Sequence, residues 1–193
     1  MILDIIRQWN WVDVLVIIIL LRVCYTAMKT GLTVELFKLL GVILAIYLSA
    51  HYYTTLSDFA EERMNIKFIP LEFLDFLCFV ILAIIGYLVF FGLREAIHRS
   101  IKMQTHPSLN RWAGLALGIG RSILLSGLVI FILVISTISY LKDSVGSSYF
   151  GKRMFKIAPA TYSGLWNGFM SKFMTQEKIN NTILEVQAGF SKP

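Results

Sequence analysis

The chain has 193 residues, 56% of them hydrophobic and only 16% charged, with a mean hydropathy of +0.69. A soluble domain is about a quarter charged, so the excess apolar surface belongs in lipid, not in a single buried core. The net charge of +6 serves membrane topology and anionic headgroups; no water-facing basic domain is visible, which argues against nucleic acid as a partner.

In chain order, Met1–Gln8 comes first, with apolar Ile2, Leu3, Ile5 and Ile6 that place it along the bilayer surface. It reads as a retained N-terminus. The apolar block behind it is preceded only by Arg7, is interrupted by Asp13 and Arg22, and leads to Lys29 instead of a small-residue cleavage site. Four spans follow, at about 11–28, 32–50, 73–93 and 114–141, each near the ~20 residues that cross the hydrocarbon core at ~1.5 Å per residue. The expected fold is therefore an all-α polytopic membrane protein, with residues 1–142 as a four-helix transmembrane domain and 143–193 as an amphipathic helical tail at the membrane surface. Trp11, Tyr25, Tyr52, Tyr53, Trp112 and Tyr140 fall near the span ends, where amphipathic rings prefer to sit.

The link Ala27–Gly31 is so short that spans one and two must run antiparallel as a hairpin. Loop three–four carries Arg94, Arg99, Lys102, His106–Pro107 and Arg111, whereas loop two–three carries Arg63 and Lys67. Dense charge in the short loops favours those loops in the cytoplasm and both termini outside. In the tail, Tyr162, Leu165, Trp166, Phe169, Met170, Phe173 and Met174 keep a three-four rhythm. Thr175 is placed as the cap of a further helix through Ile179, Ile183, Val186 and Phe190. The aromatic stripe fits either a helix lying on the membrane or one packed on its own chain or another subunit.

Two features carry candidate function. Gly114, Gly118, Ser122 and Ser126 recur every fourth residue, a ridge of small side chains that lets another helix approach closely in lipid, as Ala27 and Gly31 do in the hairpin. Asp13, Arg22, Glu35 and Arg121 are charges inside spans, which are expensive there and point to function. Glu35 is expected to pair with Arg121 or Arg22 and so lock the hairpin to span four, unless each charge reaches the headgroups separately.

The pattern resembles the colicin V production protein family, the CvpA-like bacterial membrane proteins. The resemblance runs from Asn10-Trp11-Val12-Asp13 through Lys29-Thr30-Gly31 and Glu35 to Asn110-Arg111, Gly114, Gly118 and Arg121. The family commonly has glycine where Ala27 stands, and often Asp and Gly where Asn110 and Ser122 stand; the tail matches only loosely, through Ser144 and Pro159. The resemblance implies a four-span inner-membrane protein needed for colicin V production, with relatives linked to envelope functions. Some relatives carry an outward-facing protease domain after the spans, which favours an outward tail here.

Catalytic and metal chemistry find no complete motif. Glu95–His98 has the Glu-x-x-His spacing of a di-metal helix but lacks a second copy. His51 and His106 have no ligand spacing, Ser122 and Ser126 have no base, and Gly118-Ile119-Gly120 follows no strand. Cys24 and Cys78, each inside an apolar run, suggest neither a disulfide nor a metal site. No enzyme activity and no cofactor are expected. The leading reading is an accessory or scaffold protein that packs with itself or with another membrane protein of a secretion or envelope system. The alternative is a small transporter or channel using Asp13, Glu35 and Arg121.

Overall fold

The computed structural model describes residues 9–64, 69–100 and 107–191. Met1–Gln8, Lys67, Lys102 and His106 of the preceding readings lie outside the described residues. Four long helices dominate: α1 (Trp11–Thr30), α2 (Leu32–Met64), α3 (Leu71–Ser100) and α4 (Pro107–Ile135). All four are long and apolar enough to cross a membrane. Shorter helices follow: α5 (Ser139–Ser147), α6 (Gly151–Met154), α7 (Ile157–Leu165), which runs into a π-helical turn Trp166–Met170 and a last turn Ser171–Phe173, and α8 (Thr182–Ser191).

Local chemistry sets the boundaries. The Asn10 side chain accepts from the Val12 amide (2.8 Å), while Asp13 accepts from the Asn10 amide (3.0 Å), so α1 starts on a reciprocal cap. It ends at Gly31, whose φ of +81° is a conformation that side chains rarely adopt. That one residue turns the chain into α2. At ~1.5 Å per residue, the 33 residues of α2 measure ~50 Å, well beyond the ~30 Å hydrocarbon core. The tail meets α2 between Tyr47 and Thr54, through bonds to Met174, Tyr162, Glu177 and Asn180.

The packing order differs from the chain order. Although a single residue joins α1 to α2, these helices make little contact with each other. Instead α1 lies against α4, α4 against α2, and α2 against α3. The single-residue turn fixes the direction of α2, but α4 carries the small residues that permit closest approach. Helix α4 also ends earlier than the expected residue 141. It stops at Ile135, where the Ser136 hydroxyl donates back to the Leu133 carbonyl (2.7 Å) and Ile138 adopts an extended backbone before α5.

A ladder of aromatic contacts runs through the core. Tyr53 meets Phe79 (centroids 5.6 Å apart), Phe79 meets Phe131 (5.3 Å), Phe131 stacks on Phe155 (5.5 Å) and Phe155 meets Phe190 (4.6 Å). Three spans and the C-terminal segment thus share one core, and Val145, Ala158, Tyr162 and Ile183 are buried in it. The outer faces of α1 (Val14, Ile18, Leu21) and α3 (Ile84, Leu88, Val89) are exposed and apolar, as lipid-facing surface must be.

The aromatic stripe of the tail divides. Tyr162 and Trp166 are buried, and Met170 and Met174 pack on the core, whereas Phe169 and Phe173 are exposed. The helix expected from Thr175 is corrected as well. Residues 175–181 are not helical, and α8 starts at Thr182, whose amide is capped by Asn180 Oδ1 (3.1 Å).

Candidate functional site

Helices α1 and α4 run antiparallel and meet along the small-residue ridge. A Cβ built on Gly118 would overlap the Ala27 methyl, and one on Gly114 would lie 3.0–3.1 Å from the backbone of Gly31 and Ala27. The two backbones are in contact, the geometry small residues exist to allow in lipid. The ridge therefore finds its partner inside the chain. Ser122 and Ser126 are fully buried on the same helix. Ser122 donates to the Ile119 carbonyl (2.7 Å), and the Ser126 hydroxyl has no hydrogen-bond partner among the described residues.

At one end of this seam α2 begins, with its first amides facing protein. Asn110, reaching across from α4, accepts from the Leu32 amide through Oδ1 (2.7 Å). An amide oxygen fills this role as a carboxylate would, so the departure at Asn110 leaves the cap intact. A side chain at Gly31 would run into the same Asn110 amide.

One turn on, Glu35 is completely buried, as is most of Arg121. Arg121 Nη2 approaches Glu35 Oε2 to 2.9 Å. Lys38 Nζ donates to Glu35 Oε1 (2.8 Å), and the Thr30 hydroxyl donates to the same oxygen (2.6 Å). The Arg121 contact is one of charge more than of hydrogen-bond alignment, because Glu35 Oε2 and Arg121 Nε both lack an aligned partner. The cluster places two cations on one carboxylate, which ties α1, α2 and α4 together at a cost in desolvation that only close pairing offsets. Arg22 does not join it. This residue stands exposed on α1, as snorkelling toward headgroups requires. The two paired charges start from different places on their helices, Glu35 in the first turn of α2. With α4 ending at Ile135, Arg121 lies at the middle of that helix, and its side chain leads back toward the helix N-terminus to reach Glu35.

Asp13, at the opposite end of α1, is also fully buried. It accepts from the Ser148 hydroxyl (2.7 Å) and the Phe150 amide (2.7 Å), besides its part in the α1 cap. Asn10 Nδ2 donates to the Ser144 carbonyl (2.5 Å) and the Ser147 hydroxyl (3.0 Å). Start of α1 and end of α5 are thus one junction.

A third cluster was not legible as a site. His51, buried on α2, has Nδ1 2.8 Å from the Tyr162 hydroxyl and Nε2 2.7 Å from Glu177. Its ring stacks on Trp166 (4.9 Å), which the π-helical turn presents. Burial pushes the Tyr162 pKa up; the Asn180 amide it accepts lowers it, and Glu177 and Tyr52 raise it. The phenol therefore keeps its proton. With neutral imidazole, Nε2–H donates to Glu177, Nδ1 accepts from Tyr162, and the Tyr162 oxygen accepts from Asn180 N–H (2.8 Å). Asn180 Nδ2 in turn donates to the Ala50 carbonyl (3.0 Å). The signal missed was distance along the chain: partners more than a hundred residues away leave no spacing motif.

Among the described residues no group of three His, Cys, Asp or Glu side chains is placed to hold a metal ion. No curated protein and no solved structure matches the chain. Residues 12–159, which include the seam, both buried carboxylates and the tail junction at Ser148–Phe150, match the family described as Colicin V production protein.

Proposed function

The chain belongs to the colicin V production protein family, and from that premise we propose that it is a non-enzymatic accessory or scaffold protein of toxin production, secretion and envelope maintenance. It would act in the bacterial inner membrane, with the short basic loops in the cytoplasm and both termini on the outer face. One observation carries the reading. Both fully buried carboxylates of the spans are engaged by the chain itself, Glu35 by Arg121 and Lys38, Asp13 by the Ser148–Phe150 turn. Charges held this way brace helices. A cargo site would instead leave them facing a passage.

The ridge itself is used internally, so the partner or second copy is sought on the outer apolar faces of α1 and α3. Photocrosslinkers at Ile18 and Leu88 in native membranes, followed by mass spectrometry, test this. A defined homodimer or one stoichiometric membrane protein attached at either face supports the proposal. Lipid adducts alone, with a monomer in native mass spectrometry, overturn it.

The transporter reading draws on two facts: Arg121 stands at mid-helix, and the Glu35–Arg121 pair is incompletely hydrogen-bonded. Its test is proton or ion flux in proteoliposomes. Flux that is lost in Glu35→Gln while the protein stays folded would replace the scaffold reading.

A further inference from the structure

A cavity of about 800 Å³ opens between α5, the α6 segment and the end of α8, a size typical of small-ligand sites. Lys142, Lys152, Arg153 and Lys156 line it, with Asp143 as the one carboxylate. Among the described residues none of these four cations makes an ion pair. Like charges gathered around one opening repel, and an entering anion relieves all of them at once. The guanidinium of Arg153 is already oriented, lying 4.0 Å over the Tyr149 ring. Below the basic rim the wall is apolar: Phe155 and Phe190 line the cavity with their rings in contact.

Position supplies the ligand class. Trp11, the first residue of α1, stacks on Tyr140 at 6.4 Å, and such rings mark the bilayer interface. Lys142 follows two residues later and α4 has just ended at Ile135, so the cavity opens at headgroup depth. Basic pockets at that depth suit lipid phosphates, with Arg and Lys donating to the phosphoryl oxygens.

We propose that this cavity binds a phosphate anion, carried by an acidic lipid headgroup or free in solution, with the apolar wall taking up the glycerol and first methylenes when a lipid is the source. The site is independent of the scaffold reading, since it uses none of the buried charges on which that reading rests.

The test uses the full chain in neutral detergent. Native mass spectrometry and thermal unfolding follow titrations of dioctanoyl phosphatidylglycerol, dioctanoylglycerol and inorganic phosphate. Phosphatidylglycerol is expected to bind one-to-one and dioctanoylglycerol not to bind. Lys152→Gln with Lys156→Gln is expected to weaken binding about thirtyfold. Arg63→Gln with Lys172→Gln removes the same charge from exposed positions outside the cavity and should leave affinity within about threefold. Equal weakening by both pairs, or equal binding of dioctanoylglycerol, overturns the proposal. Should the first pair not fold, competition on the wild type decides. Phosphate that displaces phosphatidylglycerol supports an anion site, and displacement by dioctanoylglycerol alone sinks it. Phosphate binding as tightly as the lipid assigns the soluble source; lipid binding more tightly assigns the headgroup.

Discussion

The seam between α1 and α4 and the junction between the spans and the tail hold helices together by opposite means. At the seam, side chains are removed: Gly114 and Gly118 let backbones touch Gly31 and Ala27. At the junction, side chains are added, and Asn10, Asp13, His51, Tyr162, Glu177 and Asn180 spend their polar groups across elements distant in sequence. The difference follows from the solvent. In lipid the hydrophobic effect gives helices no reason to associate, so close packing has to. Near water, tail and spans can exchange solvent hydrogen bonds for internal ones at a net gain of ~1 kcal/mol each. The cluster of Glu35 with Arg121, Lys38 and Thr30 brings the second method into the first region, as Asn110 does at the end of the seam.

Breaking that exception should have the largest effect. Glu35→Gln leaves Arg121 and Lys38 without a carboxylate, and an unpaired buried charge costs about 3–5 kcal/mol. Unfolding in micelles followed by circular dichroism should register it. Exchanging the two charges should restore only part, because Lys38 would then face an arginine. Next comes Gly118→Ala, expected to cost about 2 kcal/mol by overpacking against Ala27. Adding Ala27→Gly should recover most of that loss, a rescue that only direct contact between these two positions predicts. Asp13→Asn belongs to the other region and should cost about 1.5 kcal/mol. Its signature is local: limited proteolysis should cut faster in the tail while the seam holds. The smallest effect is expected at Gly120, two residues from Gly118, where a Cβ would meet nothing within 4 Å. Gly120→Ala should shift stability by no more than about 1 kcal/mol, in the stabilising direction, through helix propensity. If Gly120→Ala and Gly118→Ala prove alike, the seam is not where the α1–α4 contact lies.

How much of this could be read from the residues depended on range. Spans announce themselves by composition, and a ridge repeating every fourth residue names a face of a helix. Neither names the helix opposite. The single-residue turn at Gly31 made α1 and α2 look like partners, yet the chain neighbour is not the spatial one, because the glycines sit on α4. Glu35 and Arg121 could be matched because buried charges inside spans are few and of opposite sign. Arg22 offered the same sign and lies on the exposed face instead, a distinction that only packing makes. His51 had nothing nearby to suggest Tyr162 or Glu177. The end of α4 at Ile135 was hidden because apolar residues continue past Ser136, so the hydropathy pattern shows no break there.

The distance in sequence between Glu35 and Arg121 has a consequence for biogenesis. A ribosome adds ~5–20 residues per second, so the glutamate is made several seconds before its guanidinium partner. During that wait α1 and α2 stand in the insertion machinery or the bilayer with Lys38, three residues along the same helix, as the nearby counter-charge. Lys38, already beside Glu35 on the same helix, is the group placed to act as its partner in that interval. Its removal should show less in the finished protein than in the yield of chains that reach it.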